Sequence, residues 1–276
     1  MDNKKGLMQK LIAAPYLVWM VVFIVVPLVM VGYFAFVGDD GKFTLEYIKN
    51  VAQYGDIFLR SVWLSAIATV ICLVISYPIA FILSRMNLKT QSTMLMIVIL
   101  PMWINFLLRT YAWMTLLGNE GVINNLLGLI GLGPFKLLNT QGAVVLGMVY
   151  NYLPYMILPI YSVMVKIDNS ILEAASDLGA NRISAMIKVV VPLSIPGIMS
   201  GITMVFVPAI STFIISRMLG GGSNLLIGDL IEMQFLGNAY NPNLGAAISL
   251  VLMVIVLIIM TAMKQFDSSD DDRVLL

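Results

Sequence analysis

Few residues in this 276-residue chain could do chemistry. There is no histidine, which removes imidazole acid–base catalysis, histidine metal ligands and a switch near neutral pH. The one cysteine, Cys72, sits inside an apolar run and reads as a small buried hydrophobe. A lone cysteine forms no intrachain disulfide and says nothing about redox compartment. Gly220-Gly221-Gly222-Ser223 has the glycines of a phosphate loop but not its lysine, so ATP binding by that route is not expected. No nucleophile–base pair and no metal-ligand cluster can be assembled. The chain is therefore expected to be no enzyme, to hold no cofactor of its own and to have no catalytic or metal site. Two groups of unusually placed polar residues remain. One is the stretch Lys166–Pro192, KIDNSILEAASDLGANRISAMIKVVVP. The other is Arg109 with its polar and aromatic neighbours.

The elements that must position these residues are membrane helices. The chain is 60% hydrophobic and 11% charged, against about 25% charged in soluble domains. Its apolar residues form runs long enough to cross a bilayer as helices, without the alternation of barrel strands. Six spans are expected, at about 11–37, 58–83, 93–117, 142–165, 195–218 and 244–263, within one domain covering 1–276. The first run exceeds a signal peptide's core and lacks a convincing cleavage site, so it reads as an uncleaved span. Pro27 should kink it and Pro208 should break or bend the fifth. The segment VINNLLGLIGLG reads as a short interfacial helix, and the tail from Lys264 as disordered. If the N-terminus is cytoplasmic, ten of the sixteen basic residues face inward: Lys4, Lys5, Lys10, Arg85, Lys89, Lys166, Arg182, Lys188, Lys264 and Arg273. Basic residues favour the inside, so both termini and Lys166–Pro192 are expected in the cytoplasm. The net charge of +1 points to no nucleic-acid partner.

Within Lys166–Pro192, Ser170 and Glu173 have the spacing of a capping box. A short helix to Leu178 should follow, with Gly179 in the left-handed position after it. Asn181 should cap a second short helix that Pro192 ends. Each helix carries an apolar face, so the stretch forms a helix–turn–helix elbow. Physical chemistry alone leaves two roles even: an elbow lying on lipid headgroups, or a docking element for a soluble partner.

The third span contains Trp103, Asn105, Arg109, Tyr111 and Trp113. A charge at membrane depth is costly and faces protein or water. Arg109 reads as a gate, or preferably as a structural tie to Asn105 or Tyr111. The aromatic faces of Trp103, Tyr111, Trp113, Tyr150, Tyr152 and Tyr155 could hold a cation, or form an interfacial belt. Pro208 with Ser211 and Thr212 could open the fifth span to a pathway, or simply kink it. Acids of the outer segments, among them Asp229 and Glu232, would favour approach of a cation or serve as ordinary surface charge.

The elbow carries a resemblance. Glu173-Ala174-Ala175, then three residues, Gly179, nine residues, Val189, one residue and Val191-Pro192 resemble the EAA loop of binding-protein-dependent ABC importer permeases, with valines replacing the pattern's Ile and Leu. The resemblance implies an all-α membrane fold of six helices, the type I importer (MetI-like) permease fold. It implies that the elbow is a coupling helix seated on an ATP-binding subunit. The residues carried over are Glu173, Ala174, Ala175, Asp177, Gly179, Arg182 and Pro192.

The segment Pro101-Met-Trp103-Ile-Asn105-Phe-Leu-Leu-Arg109-Thr-Tyr111 further resembles a signature of spermidine/putrescine permeases of the B type, as do Tyr150–Lys166 and Leu219–Phe235. Asp229 departs from that subfamily, which favours Asn there. The implied partners are a homologous second permease, a dimer of ATP-binding subunits that hold the ATP and Mg, an extracytoplasmic polyamine-binding protein and the lipid of a bacterial cytoplasmic membrane. Alternatives are another solute in the same importer class, an ion-coupled secondary transporter and a membrane-embedded enzyme. The last two lack the expected intramembrane carboxylates, inverted repeat or polar constellation.

Overall fold

The computed structural model describes residues 15–38, 40–222, 224–237 and 239–271, with side chains as far as Met263. Lys4, Lys5, Lys10, residues 11–14 of the expected first span, Asp39, Ser223, Arg273 and the side chain of Lys264 lie outside what is described. The described residues are helices and turns, apart from one isolated bridge between Val37 and Phe43. Among the described residues five helices are long and apolar enough to cross a membrane, or six if one bent pair counts as a single span.

In chain order these are α1 (Pro15–Phe36), the short α2 (Glu46–Val51), α3 (Gly55–Ser84), α4 (Leu88–Trp103), α5 (Phe106–Leu117), α6 (Val122–Leu129) and α7 (Gln141–Met164). Then come α8 (Asn169–Asp177), α9 (Arg182–Ile210), α10 (Ile214–Gly220), α11 (Ile227–Leu236) and α12 (Pro242–Asp271). The chain divides into two compact units, one made of residues to Gly55 with 230–255, the other of 56–229 with the remainder.

In the first unit none of the apolar stretch of α1 is buried. Phe36 stacks on Phe43 at 5.9 Å, and the Asn243 amide donates to the Tyr47 hydroxyl at 3.3 Å.

In the second unit α7 is the most enclosed of the membrane-length helices. Met148, Met156, Ile157, Ile160 and Met164 are almost fully buried along it. Two glycines of α9 let it come close. A β-carbon on Gly197 would stand 2.9 Å from the Pro159 carbonyl oxygen, and one on Gly201 would stand 2.6 Å from the Met156 sulfur. Close backbone approach through small residues is how helices associate where lipid offers no hydrophobic drive.

Three expectations are corrected. The third span is not one helix: α4 and α5 part at Ile104–Asn105, and the stretch Phe106–Leu129 is bent from α4 by 87°. The Asn105 side chain causes the break, capping α5 by accepting the Leu107 N–H at 2.8 Å. Pro192 does not end the elbow's second helix, which runs unbroken from Arg182 to Ile210. The turn before it, Met186–Val190, is a π turn, with Val191 N–H bonded to the Met186 carbonyl. The wide turn makes room for a residue with no N–H and a bulky ring. The same device precedes Pro27, where Val21–Val25 is π-helical, so the first span also continues through its proline. Finally, α12 runs on to Asp271 where a disordered tail was expected, for no Gly or Pro follows Met263 to stop it.

Candidate functional site

The elbow is assembled from local hydrogen bonds. Its first helix is capped by Asp168, whose Oδ1 accepts the Ser170 N–H at 2.9 Å, so the expected Ser170–Glu173 capping box starts two residues too late. Asp168 has the extended backbone of a cap, whereas Ser170 already lies in the first turn. The helix ends as expected. Gly179 has φ +83°, its N–H bonds to the Ser176 carbonyl, and the Ala180 N–H reaches back to the Ala175 carbonyl at 3.0 Å. These two bonds are a Schellman closure. Asn181 then caps α9 by accepting the Ser184 N–H at 2.7 Å. Glu173, Ala174, Asp177, Gly179, Arg182 and Pro192 are exposed and Ala175 is half-buried, so the sequence-assigned residues lie mostly on an open surface.

One residue that the pattern did not single out anchors the elbow. Arg85, just past α3, donates through Nη1 to the Ile167 carbonyl at 2.9 Å and to Asn169 Oδ1, with its guanidinium over the Phe81 ring. Hydrogen bonds from Ser170, with a smaller contribution from the Arg85 charge, hold the Asp168 carboxyl below the ordinary carboxylate range. In the sequence Arg85 was only a basic loop residue, and nothing in its neighbours marks it as a partner of residues some eighty positions away.

The second group gathers where α5 begins and α9 ends. The helix α9 stops at Ile210, two residues after Pro208, and α10 begins at Ile214. The Tyr152 hydroxyl of α7 donates to the Pro208 carbonyl at 3.3 Å. The Tyr155 ring stands 6.4 Å from the Tyr152 ring, centre to centre. Arg109 does not tie to Asn105 or Tyr111. Asn105 has spent its oxygen on the cap, and Tyr111, two positions on, points to another side of the helix. The Arg109 guanidinium instead sits 5.9 Å from the centre of the Phe106 ring, its Nε and Nη1 buried without a hydrogen-bond partner. Ser211 returns its hydroxyl to the Val207 carbonyl at 3.1 Å. Helix breaks leave carbonyls and N–H groups at membrane depth, which is tolerated only against protein or a watery path.

Other expected residues stand apart from this cluster. Trp103 is 80% and Tyr111 56% exposed. Trp113 meets Tyr150 edge to face at 5.4 Å. Asp229 is no surface charge: it is 1% exposed, and its Oδ2 accepts the Leu226 N–H at 2.9 Å, closing the start of α11. Gly228 makes that possible, since a β-carbon there would stand 2.4 Å from the Ser211 carbonyl oxygen. Ser61 of α3 completes the cap by accepting the Ile227 N–H at 2.8 Å. Glu232 is half-buried. No group of three or more His, Cys, Asp or Glu could hold a metal among the described residues.

A helical bundle with such an elbow has known counterparts. Residues 76–268 match the family described as the inner membrane component of binding-protein-dependent transport systems. The chain belongs to that family. This permease is 38% identical over 257 residues to the spermidine/putrescine transport system permease protein PotB of Haemophilus influenzae, covering 90% of each chain. It is 36% identical over 247 residues to PotB of Escherichia coli, covering 86% of this chain and 90% of that one. Among solved structures, a chain of a bacterial ABC transporter that imports alginate superposes with a TM-score of 0.83 at 17% identity, over 97% of both chains. The MetNI methionine ABC transporter gives a TM-score of 0.56 at 17% identity, over 78% of this chain and 94% of that one. The fold is that of ABC importer permeases, and the chain is an inner membrane component of that importer class.

Proposed function

We propose that the permease forms, with a homologous second permease, the path by which spermidine or putrescine enters the cell. ATP is hydrolysed by a separate dimer of ATP-binding subunits, and an extracytoplasmic polyamine-binding protein delivers the cargo. Both termini and the elbow face the cytoplasm in this reading. The observation that carries the cargo assignment is the similarity of 36–38% to spermidine/putrescine permeases over 86–90% of the chain.

The geometry supplies a route for coupling. Closure of the ATP-binding subunits moves α8 through Glu173, Ala174 and Asp177. Because α9 is continuous from Arg182 to Ile210, that displacement needs no loop to reach the break after Pro208. There it meets the Tyr152 hydroxyl. Ammonium groups of the cargo are served by carbonyl-rich helix ends and aromatic faces, each face worth about 0.5–2 kcal/mol. Arg109 repels them and acts as a gate residue rather than a ligand.

Competition tests the cargo. In proteoliposomes holding both permeases, the ATP-binding subunits and the binding protein, unlabelled spermidine or putrescine should displace labelled polyamine uptake. Uptake insensitive to both removes the assignment.

A further inference from the structure

Beside the elbow lies a groove of about 540 Å³, walled by Phe81 of α3, Leu172 and Ala180 of the elbow's first half, and Ile183 and Ile187 of α9. Ile183 and Ile187 are 71% and 61% exposed. The one charged side chain in its lining is Arg182, with no acid there. We propose that this groove receives an apolar side chain, carried next to an acidic residue, from the ATP-binding subunit. This rests on the coupling reading above and adds to it a second contact, in which the permease is the socket.

Length argues for protein over lipid as the occupant. The helix α9 has 29 residues, about 43 Å at 1.5 Å each, whereas about 20 residues cross the hydrocarbon. Counted back from Ile210, the crossing ends near Val191, so Arg182–Val190 project beyond it. An end of the crossing past Ile210 would lengthen the projection. Arg182 and Lys188 in that segment fit water rather than acyl chains. Two exposed isoleucines outside the hydrocarbon, next to an unopposed arginine, suit an apolar knob with an adjoining carboxylate. The groove also shares α8 with exposed Glu173, since Leu172 and Ser176 line it from the neighbouring face.

The test uses the full complex in nanodiscs, in a background with Cys72 replaced. Ile183→Cys and Ile187→Cys should react with a water-soluble maleimide at least ten-fold more slowly when the ATP-binding subunits are present than when they are stripped away. Ala185→Phe, which fills the groove, should weaken recapture of those subunits about ten-fold, and Arg182→Glu should do likewise while Arg182→Lys does not. Equal labelling with and without the subunits overturns the proposal, as does quenching by brominated lipid of a fluorophore attached to the Ile183→Cys variant. Glu173→Cys serves as the control for the parent reading. If it cross-links to the ATP-binding subunit while Ile183→Cys stays unprotected, the groove assignment alone fails. If neither residue meets that subunit, the coupling reading fails with it.

Discussion

The Tyr152 hydroxyl and the Pro208 carbonyl are bonded at 3.3 Å, joining the buried helix α7 to the last turn of α9. Pro208 lies so near the helix end that its carbonyl lacks the ordinary N–H partner four residues on. Tyr152→Phe keeps the ring and deletes the donor. A stability loss of about 0.5–1.5 kcal/mol is expected, small enough for the complex to assemble. Polyamine imported per ATP hydrolysed should fall more than ATPase activity does, because the link between the moving helix and α7 is cut. An unchanged ratio in proteoliposomes would show that the bond takes no part in coupling.

Two glycines on α9 make opposite demands on α7. At Gly197 a new methyl meets the Pro159 carbonyl oxygen at 2.9 Å and the Ile160 α-carbon at 3.1 Å, which are backbone and cannot yield without moving the helix. At Gly201 its nearest neighbour is the Met156 sulfur, on a flexible side chain. Gly197→Ala should therefore cost about 1–3 kcal/mol, and Gly201→Ala clearly less. Thermal denaturation of the two purified variants ranks them, and the reverse order would refute the α7–α9 packing.

Gly179 differs from both, since a β-carbon there meets nothing within 4 Å. Its constraint is the positive φ of +83° alone. Gly179→Ala should cost about 1–2 kcal/mol of elbow order, and Gly179→Asn less, because asparagine tolerates the left-handed region. Hydrogen exchange of residues 169–185 measures this. Equal protection in wild type and both variants would mean the closure does not hold the elbow.

What was readable beforehand divides along physical lines. Gly179 and Asn181 could be placed because their roles are local, set by φ and by a side chain reaching three residues ahead. The break at Asn105 was hidden because hydrophobicity runs evenly through it and one amide decides the outcome. Pro192 misled because a π turn can absorb a proline that an α turn cannot. Asp229 looked like surface charge because its burial depends on Gly228 and Ser61, the latter far away in the chain. Arg85 was missed for the same reason: its partners Ile167 and Asn169 are contacts of the tertiary fold.

The cap at Asp168 gives the elbow a pH signature. Its carboxyl titrates below the ordinary range in the folded elbow. A depressed acid contributes stability that is complete above its unfolded value, near pH 4, and is lost as pH falls through the folded value. Elbow protection should thus be flat from neutral pH to about 5 and decline below about 4. Asp168→Asn keeps the acceptor and should flatten that decline. Arg85→Gln should shift it to higher pH, since removing the positive charge raises the carboxyl. Hydrogen exchange in detergent against pH reads all three, and a wild-type decline that survives Asp168→Asn would assign it to another group.

Glu173 separates structure from coupling most cleanly. It is exposed and makes no bond that the elbow's caps require, for those use Asp168, Ser176, Ala175 and Asn181. Glu173→Arg should change the fold's stability by no more than about 0.5 kcal/mol, leaving expression and pairing with the second permease near wild type. At an interface with the ATP-binding subunit the same change places a like or unpaired charge where a paired one stood, a cost of about 2–5 kcal/mol. At about 1.4 kcal/mol per ten-fold, that is a weakening of roughly 30- to several thousand-fold. Uptake should vanish while the permease pair still purifies from the membrane, and ATPase activity should lose its response to the loaded binding protein. Wild-type uptake by the Glu173→Arg complex would remove the elbow from the coupling route and leave it an interfacial turn.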